Sequence, residues 1–172
     1  MSIFGLFAHC RSRFGRPCFR RPGHGSGQLD PAPFVASIYA DGREGAVWAQ
    51  WLDGARRAEW FSHALTALWA QCDKRARKIV DELGAVDFVV ATNSQGLELR
   101  RFTVKTLSRD ASHASVVPRL TPGNWVRKSN RENEIRYNLV WESGRRAIDG
   151  IHSVIEPNPW SLRAMLTQYL AR

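Results

Sequence analysis

Apolar residues in the first half of the ordered sequence recur at helical spacing. Phe34, Val35, Ile38 and Tyr39 follow Asp30-Pro31, where the aspartate can cap a helix and the proline suits its first turn. Asp41-Gly42 predicts the end of that helix, and Trp48, Trp51 and Leu52 predict a short one after it. Phe61, Leu65, Leu68, Trp69 and Cys72 form the stripe of a longer helix expected over Ala58–Val80. Its far end is loaded with Asp73, Lys74, Arg75, Arg77 and Lys78.

The period then changes to two. Leu99–Leu107 reads as a strand with Phe102 and Val104 on one face. Ser112–Leu120 is a second, where Pro118 demands an edge or a bulge because it has no N–H to give a ladder. Thr121-Pro122-Gly123-Asn124 marks a turn. In Glu134–Glu142, Ile135, Tyr137, Leu139 and Trp141 alternate with Arg136, Asn138 and Glu142, and Ser143-Gly144 reverses the chain into Arg145–Ile155. A last helix is expected from Asn158-Pro159, with Trp160, Met165, Leu166, Tyr169 and Leu170 as its stripe.

Helices followed by short-linked strands predict an α+β fold. N-terminal helices pack on a curved antiparallel sheet of about four strands, and a C-terminal helix closes it. The second face of such a sheet is expected to be wet, as the polar partners of the Tyr137 row require.

Composition adds bounds. The chain has 172 residues, 44% of them apolar, with seven Trp. That is enough for one packed domain, expected over 30–172, without metal or disulfides. No stretch reaches the length of a membrane span, so no integral membrane segment is expected. Residues 1–28 hold Arg11, Arg13, Arg16, Arg20 and Arg21 and no acid, with Gly, Pro and Ser and no hydrophobic period. They read as a disordered basic tail. A secretory signal places its charges before the apolar run, whereas here MSIFGLFA precedes the arginines. The chain as written is therefore expected in the cytoplasm, and export would require a different start with its own signal upstream of Asp30.

Net charge is +9, from 25 basic and 16 acidic residues. Removing the five tail arginines leaves 20 against 16, or +4. Much of the excess thus reads as a property of the tail, and nucleic acid is not the expected partner. Cys10, Cys18 and Cys72 form no CxxC pair, and no His, Cys or acid spacing predicts a metal site. No cofactor motif is present, and no catalytic triad, phosphate loop or paired-carboxylate pattern emerges.

Three segments resemble a bacterial family known as domain of unknown function 3828, within the nuclear-transport-factor-2-like superfamily. They are Phe34-Val35 with Ile38-Tyr39; Asp87-Phe88 with Asn93-Ser94-Gln95; and Tyr137-Asn138-Leu139-Val140 through Gly144 to Ile148-Asp149-Gly150-Ile151, then Ser161-Leu162-Arg163 and Leu166. The resemblance implies a cone-like fold with a cavity between helices and sheet, and a homodimer through the exposed sheet face. Superfamily relatives include isomerases, dehydratases and plain binding modules. The sequence departs from the family at Val89, Gly96, Arg146 and Gly150, where the family has acids or a tryptophan, so a less acidic pocket is implied.

The pocket candidates are Tyr39, Asn93, Gln95, Trp141 and Asp149. In an unbroken strand Asp149 shares a face with Ala147, Ile151 and Ile155. A carboxylate there must be paired or hydrogen-bonded, or else acquires a raised pKa fit for proton transfer. The expected role is structural, with Asp149 accepting hydrogen bonds from backbone or arginine. Asn93 and Gln95 read either as cavity groups or as turn residues bonding their own backbone. Trp125, Arg127, Lys128 and Arg131 form a basic loop with one stacking ring, short of a nucleic-acid platform. The expected function is a non-enzymatic module binding a small molecule or peptide. The alternatives are an isomerase- or dehydratase-like enzyme, with Asp149 as proton shuttle and Tyr39 or Gln95 as oxyanion donor, and weak nucleic-acid binding through loop and tail.

Overall fold

The computed structural model describes residues 29–40, 43–78, 84–94, 99–122, 134–155 and 157–172. Helix α1 (Ala32–Tyr39) follows Pro31. The Asp30 carboxylate accepts the Ala32 N–H at 3.1 Å and the Thr106 hydroxyl at 2.6 Å, so one side chain starts the helix and ties it to the sheet. Helices α2 (Glu44–Leu52) and α3 (Gly54–Arg57) follow.

The long helix expected from Ala58 is shorter at its start. Helix α4 runs His63–Ala76, and Ser62 caps it by accepting the Leu65 N–H at 3.0 Å. Serine is a stronger cap than interior helix residue, which favours a start here. The segment before it serves the sheet instead: the Ser62 N–H donates to the Ile148 carbonyl at 2.9 Å, and the Ile148 N–H to the Trp60 carbonyl at 2.8 Å.

The strands are β1 (Leu99–Arg109), β2 (His113–Pro122), β3 (Ile135–Glu142), β4 (Arg145–Ser153) and β5 (Trp160–Ser161), followed by helix α5 (Leu162–Ala171). They lie in chain order in one antiparallel sheet. The α+β expectation holds, with a fifth strand that the sequence pattern did not announce. Trp160 and Ser161 pair with Ser153 and His152 before α5 begins, where a helix start had been expected. Two residues are too few for a period to show. Ser143 (φ 50°) and Gly144 (φ 77°) turn β3 into β4 in the left-handed conformation that two-residue hairpin turns need.

Two irregularities shape the sheet. Asn138 faces Gly150 while Leu139 faces Ile148, so Asp149 is the extra residue of a bulge. Strand β2 pairs with β3 only through His113–Val116, whereas its pairing with β1 continues to Pro122. Pairing with β3 stops two residues before Pro118, which has no N–H. Beyond that point, among the described residues, β1 and β2 form a two-stranded ribbon.

The inner face of the sheet carries Val116, Ile135, Tyr137, Leu139, Ile148 and Ile151, all buried. Against them pack Ile38 and Tyr39 of α1, Trp51 of α2, Leu65 and Trp69 of α4, and Leu162 and Leu166 of α5. Phe61 lies 5.0 Å from Trp51 and 5.6 Å from Trp69 between ring centroids. Among the described residues no helix is long and apolar enough to cross a membrane.

Arg57 holds the helices to one another. It is 1% exposed. Its Nε donates to the Trp51 carbonyl at 2.8 Å and its Nη2 to the Leu52 carbonyl at 3.3 Å, satisfying the open end of α2. Its Nη1 reaches Asp73 Oδ2 on α4 at 2.7 Å, and the guanidinium lies 4.4 Å from the Trp69 ring centre. Removing it strands two carbonyls and a carboxylate at once. Arg57→Ala is expected to cost about 3 kcal/mol, read from the midpoint of urea unfolding. Arg57→Lys should recover only a minor part, because an ammonium lacks the planar fork that meets three acceptors.

Candidate functional site

Asp149 is held from three elements. Its Oδ1 accepts the Ser62 hydroxyl at 2.6 Å and is ion-paired with Arg163 of α5, whose Nε also donates to the Asp149 backbone carbonyl. Ser62 meanwhile caps α4. The carboxylate therefore joins β4, the start of α4 and α5. The bulge corrects the expected strand face: Ile148 and Ile151 lie opposite Leu139 and Tyr137, and Asp149 has no cross-strand partner. Asp149 accepts hydrogen bonds from an arginine, as expected, and from Ser62, a bond that was not legible because 87 residues separate the two.

Tyr39 does not meet Asp149. Its hydroxyl donates to the Ala91 carbonyl at 2.7 Å and lies 2.7 Å from the Tyr137 hydroxyl, which leaves Tyr137 as donor in that contact. Burial pushes both phenols above their ordinary range. At Tyr39 the neighbouring Tyr137 and then Glu44 add to this, and at Tyr137 the bond to Tyr39 offsets part of it. The pair satisfies two buried hydroxyls in the region where a cavity was expected. Tyr39, Phe61, Leu65, Tyr137 and Ile151, none more than 1% exposed, occupy that space.

The other candidates disperse. Asn93 has a positive φ of 49°, consistent with turn chemistry, and its Oδ1 accepts the Trp160 indole N–H at 2.8 Å. Trp141 lies under the Arg146 guanidinium at 5.3 Å, and Arg146 is 8% exposed. Gln95, Trp125, Arg127, Lys128 and Arg131 lie outside the described residues. His63 is exposed at the start of α4, where its backbone N–H meets Glu142 Oε1 at 2.7 Å. Cys72 is buried with its thiol on the Leu166 carbonyl, and burial raises its pKa, away from thiolate chemistry. Among the described residues no group of three or more His, Cys, Asp or Glu could hold a metal.

Two grooves lined by described residues are open to solvent. One, of about 420 Å³, is lined by Ser108, His113, Ser115, Asn138 and Asp149 among others. The other, of about 500 Å³, lies along β4, β5 and the start of α5, with His152, Ser153 and Trp160 in its wall.

A surface that sequence reasoning missed lies on the outer face of the β1–β2 ribbon. Arg101, Thr103 and Lys105 of β1 and Arg119 and Thr121 of β2 are all exposed. Register places Arg119 opposite Thr103, so Arg101 and Lys105 are its diagonal neighbours, at roughly 7–8 Å between backbones. Ion pairs hold Arg57 to Asp73, Arg136 to Glu134, Arg163 to Asp149 and Arg56 to Glu59. None reaches Arg101, Lys105 or Arg119. The signal available was the period-two spacing of Arg101, Thr103 and Lys105 against Arg119 and Thr121. What it lacked was the pairing that brings the two sets together.

The second groove generates a pH prediction. Partial burial, and secondarily Arg136, hold the His152 imidazole below its ordinary value of 6.5. The unfolded chain then binds the proton more readily than the folded one, so stability is present above pH 6.5 and is lost as pH falls through the lower folded value. His152→Gln is expected to flatten the decline in urea midpoint between about pH 7.5 and pH 5. The carboxylates held low, Asp30 and Asp110, act only in the more acid range of aspartate.

In comparisons with known proteins, no family model, no curated protein and no solved structure matches this chain.

Proposed function

We propose that the protein is a non-enzymatic binding module that recognises an anionic partner on the outer face of the β1–β2 ribbon. The observation that carries this reading is the cluster of Arg101, Lys105 and Arg119, three like charges at neighbouring positions with no acid paired to any of them among the described residues. Diagonal like charges repel, and an anion between them relieves the repulsion. Thr103 and Thr121 stand at alternate positions among the cations and add hydroxyl donors.

The packed interior supports a surface site over an internal one, since aromatic side chains fill the space beneath the helices. Two copies meeting through this ribbon would oppose cations with cations, so an anionic partner fits it better than a homodimer. The enzyme reading needs Asp149 and Tyr39 at one site, and their Oδ1 and hydroxyl bond separate partners instead.

A panel of labelled polyanions (polyglutamate, inorganic polyphosphate, double-stranded oligonucleotide) tests this by fluorescence anisotropy. At least one should bind with affinity that falls steeply with salt, and Arg101→Gln/Lys105→Gln/Arg119→Gln should weaken it by about tenfold or more. All three positions are exposed, so the melting temperature should stay within about 2 °C of the parent. A variant that binds every member of the panel as the parent does would end this reading.

A further inference from the structure

Resting on that reading, we infer that the β1–β2 ribbon docks in the major groove of duplex DNA, with Arg101, Lys105 and Arg119 on the phosphates that border it. Among the described residues, β2 past Val116 pairs with β1 alone and β1 is the edge of the sheet, so the ribbon there is two strands wide. Two strands about 4.8 Å apart, with side chains on one face, fit a groove about 12 Å wide, which admits a two-stranded ribbon. A full sheet does not fit. The inner face of the same ribbon carries Phe102, Val104 and Leu120, packed against the core, with Phe102 5.7 Å from Tyr39. The ribbon is thus backed by α1 and presents its outer face as a stiff unit.

Chemistry narrows the partner further. Among the described residues the outer face of the ribbon carries the cations Arg101, Lys105 and Arg119, the hydroxyls of Thr103 and Thr121, and the buried Val117 opposite Lys105, and no aromatic ring. Single-stranded nucleic acid is held by stacking bases on rings, which this face does not offer. An anionic membrane surface calls for apolar side chains to enter the interface, and Leu107 is the one large exposed apolar residue described on β1 or β2. An acidic peptide would supply irregular charge. Duplex DNA supplies a regular double row of phosphates at a spacing the ribbon can bridge. The span from Arg101 to Lys105 is four strand residues, about 13 Å. Duplex RNA has the same charge but a deep, narrow major groove that excludes the ribbon.

The test uses the full chain, tail included, and a 20-base-pair DNA duplex. The slope of log affinity against log salt should become shallower by about 3 in Arg101→Gln/Lys105→Gln/Arg119→Gln, one unit for each lost phosphate contact. The parent should bind the DNA duplex several-fold more tightly than an RNA duplex of the same sequence. It should also protect guanine N7, which faces the major groove, from dimethyl sulfate, and the triple variant should not. Equal binding of the RNA duplex, or unprotected N7, overturns the inference. So does a slope that responds only when the tail arginines Arg11, Arg13, Arg16, Arg20 and Arg21 are changed to glutamine. If the triple variant loses polyglutamate, polyphosphate or phosphatidylserine vesicles but not DNA, the DNA assignment fails while the anionic-partner reading stands. If it loses none of them, both fail.

Discussion

Strand β4 pairs with β3 along one side, and three different devices close its other side. At Ile148 the segment Trp60–Ser62 adds a parallel bridge. At Asp149 the guanidinium of Arg163 takes the backbone carbonyl. At His152 and Ser153 the two-residue strand β5 pairs. An open strand edge invites pairing with other chains, and closing it also decides where the helices lie. The first device fixes the start of α4, the second holds α5, and the third sets the chain direction into α5. Arg145 reinforces the same edge by donating to the carbonyls of Ala58, Glu59 and Phe61, which neither α3 nor α4 can satisfy.

Closing that edge brings the helices down onto the inner face of the sheet, and large side chains fill what remains. Tyr39 and Tyr137 share a hydrogen bond in the middle of it. Arg57 and Asp149 are spent in the same way, each satisfying backbone or side-chain groups from elements distant in sequence. Of the candidates read from the sequence, Tyr39 and Asp149 thus bond elements distant in the chain. Arg101, Lys105 and Arg119 stand on the ribbon's outer face, outside the ion pairs found among the described residues.

The sheet was legible where the period was clean. Ile135, Tyr137 and Leu139 alternate with Arg136 and Asn138, and they face core and solvent as the pattern requires. Pro118 was expected at an edge or bulge, and pairing with β3 stops just before it. The long helix was legible only in part, because Phe61 continues the apolar stripe of α4 while its backbone belongs to the sheet. Hydrophobic spacing records which side chains are buried, and the backbone geometry that buries them can differ. Asp149 was expected to accept hydrogen bonds from an arginine, as it does, but the bulge that removes it from the strand face has no signature in the spacing.

By itself the sequence determined the fold class, the approximate elements and the face of each strand that enters the core. Those follow from local periodicity, which acts over a few residues. It could not determine which charges would be neutralised, because ion pairs form across separations such as the 16 residues between Arg57 and Asp73. A net charge of +9 is the same number however it is arranged. Only the tertiary structure, by aligning β1 with β2 and spending other cations on buried partners, set Arg101, Lys105 and Arg119 side by side on one open face.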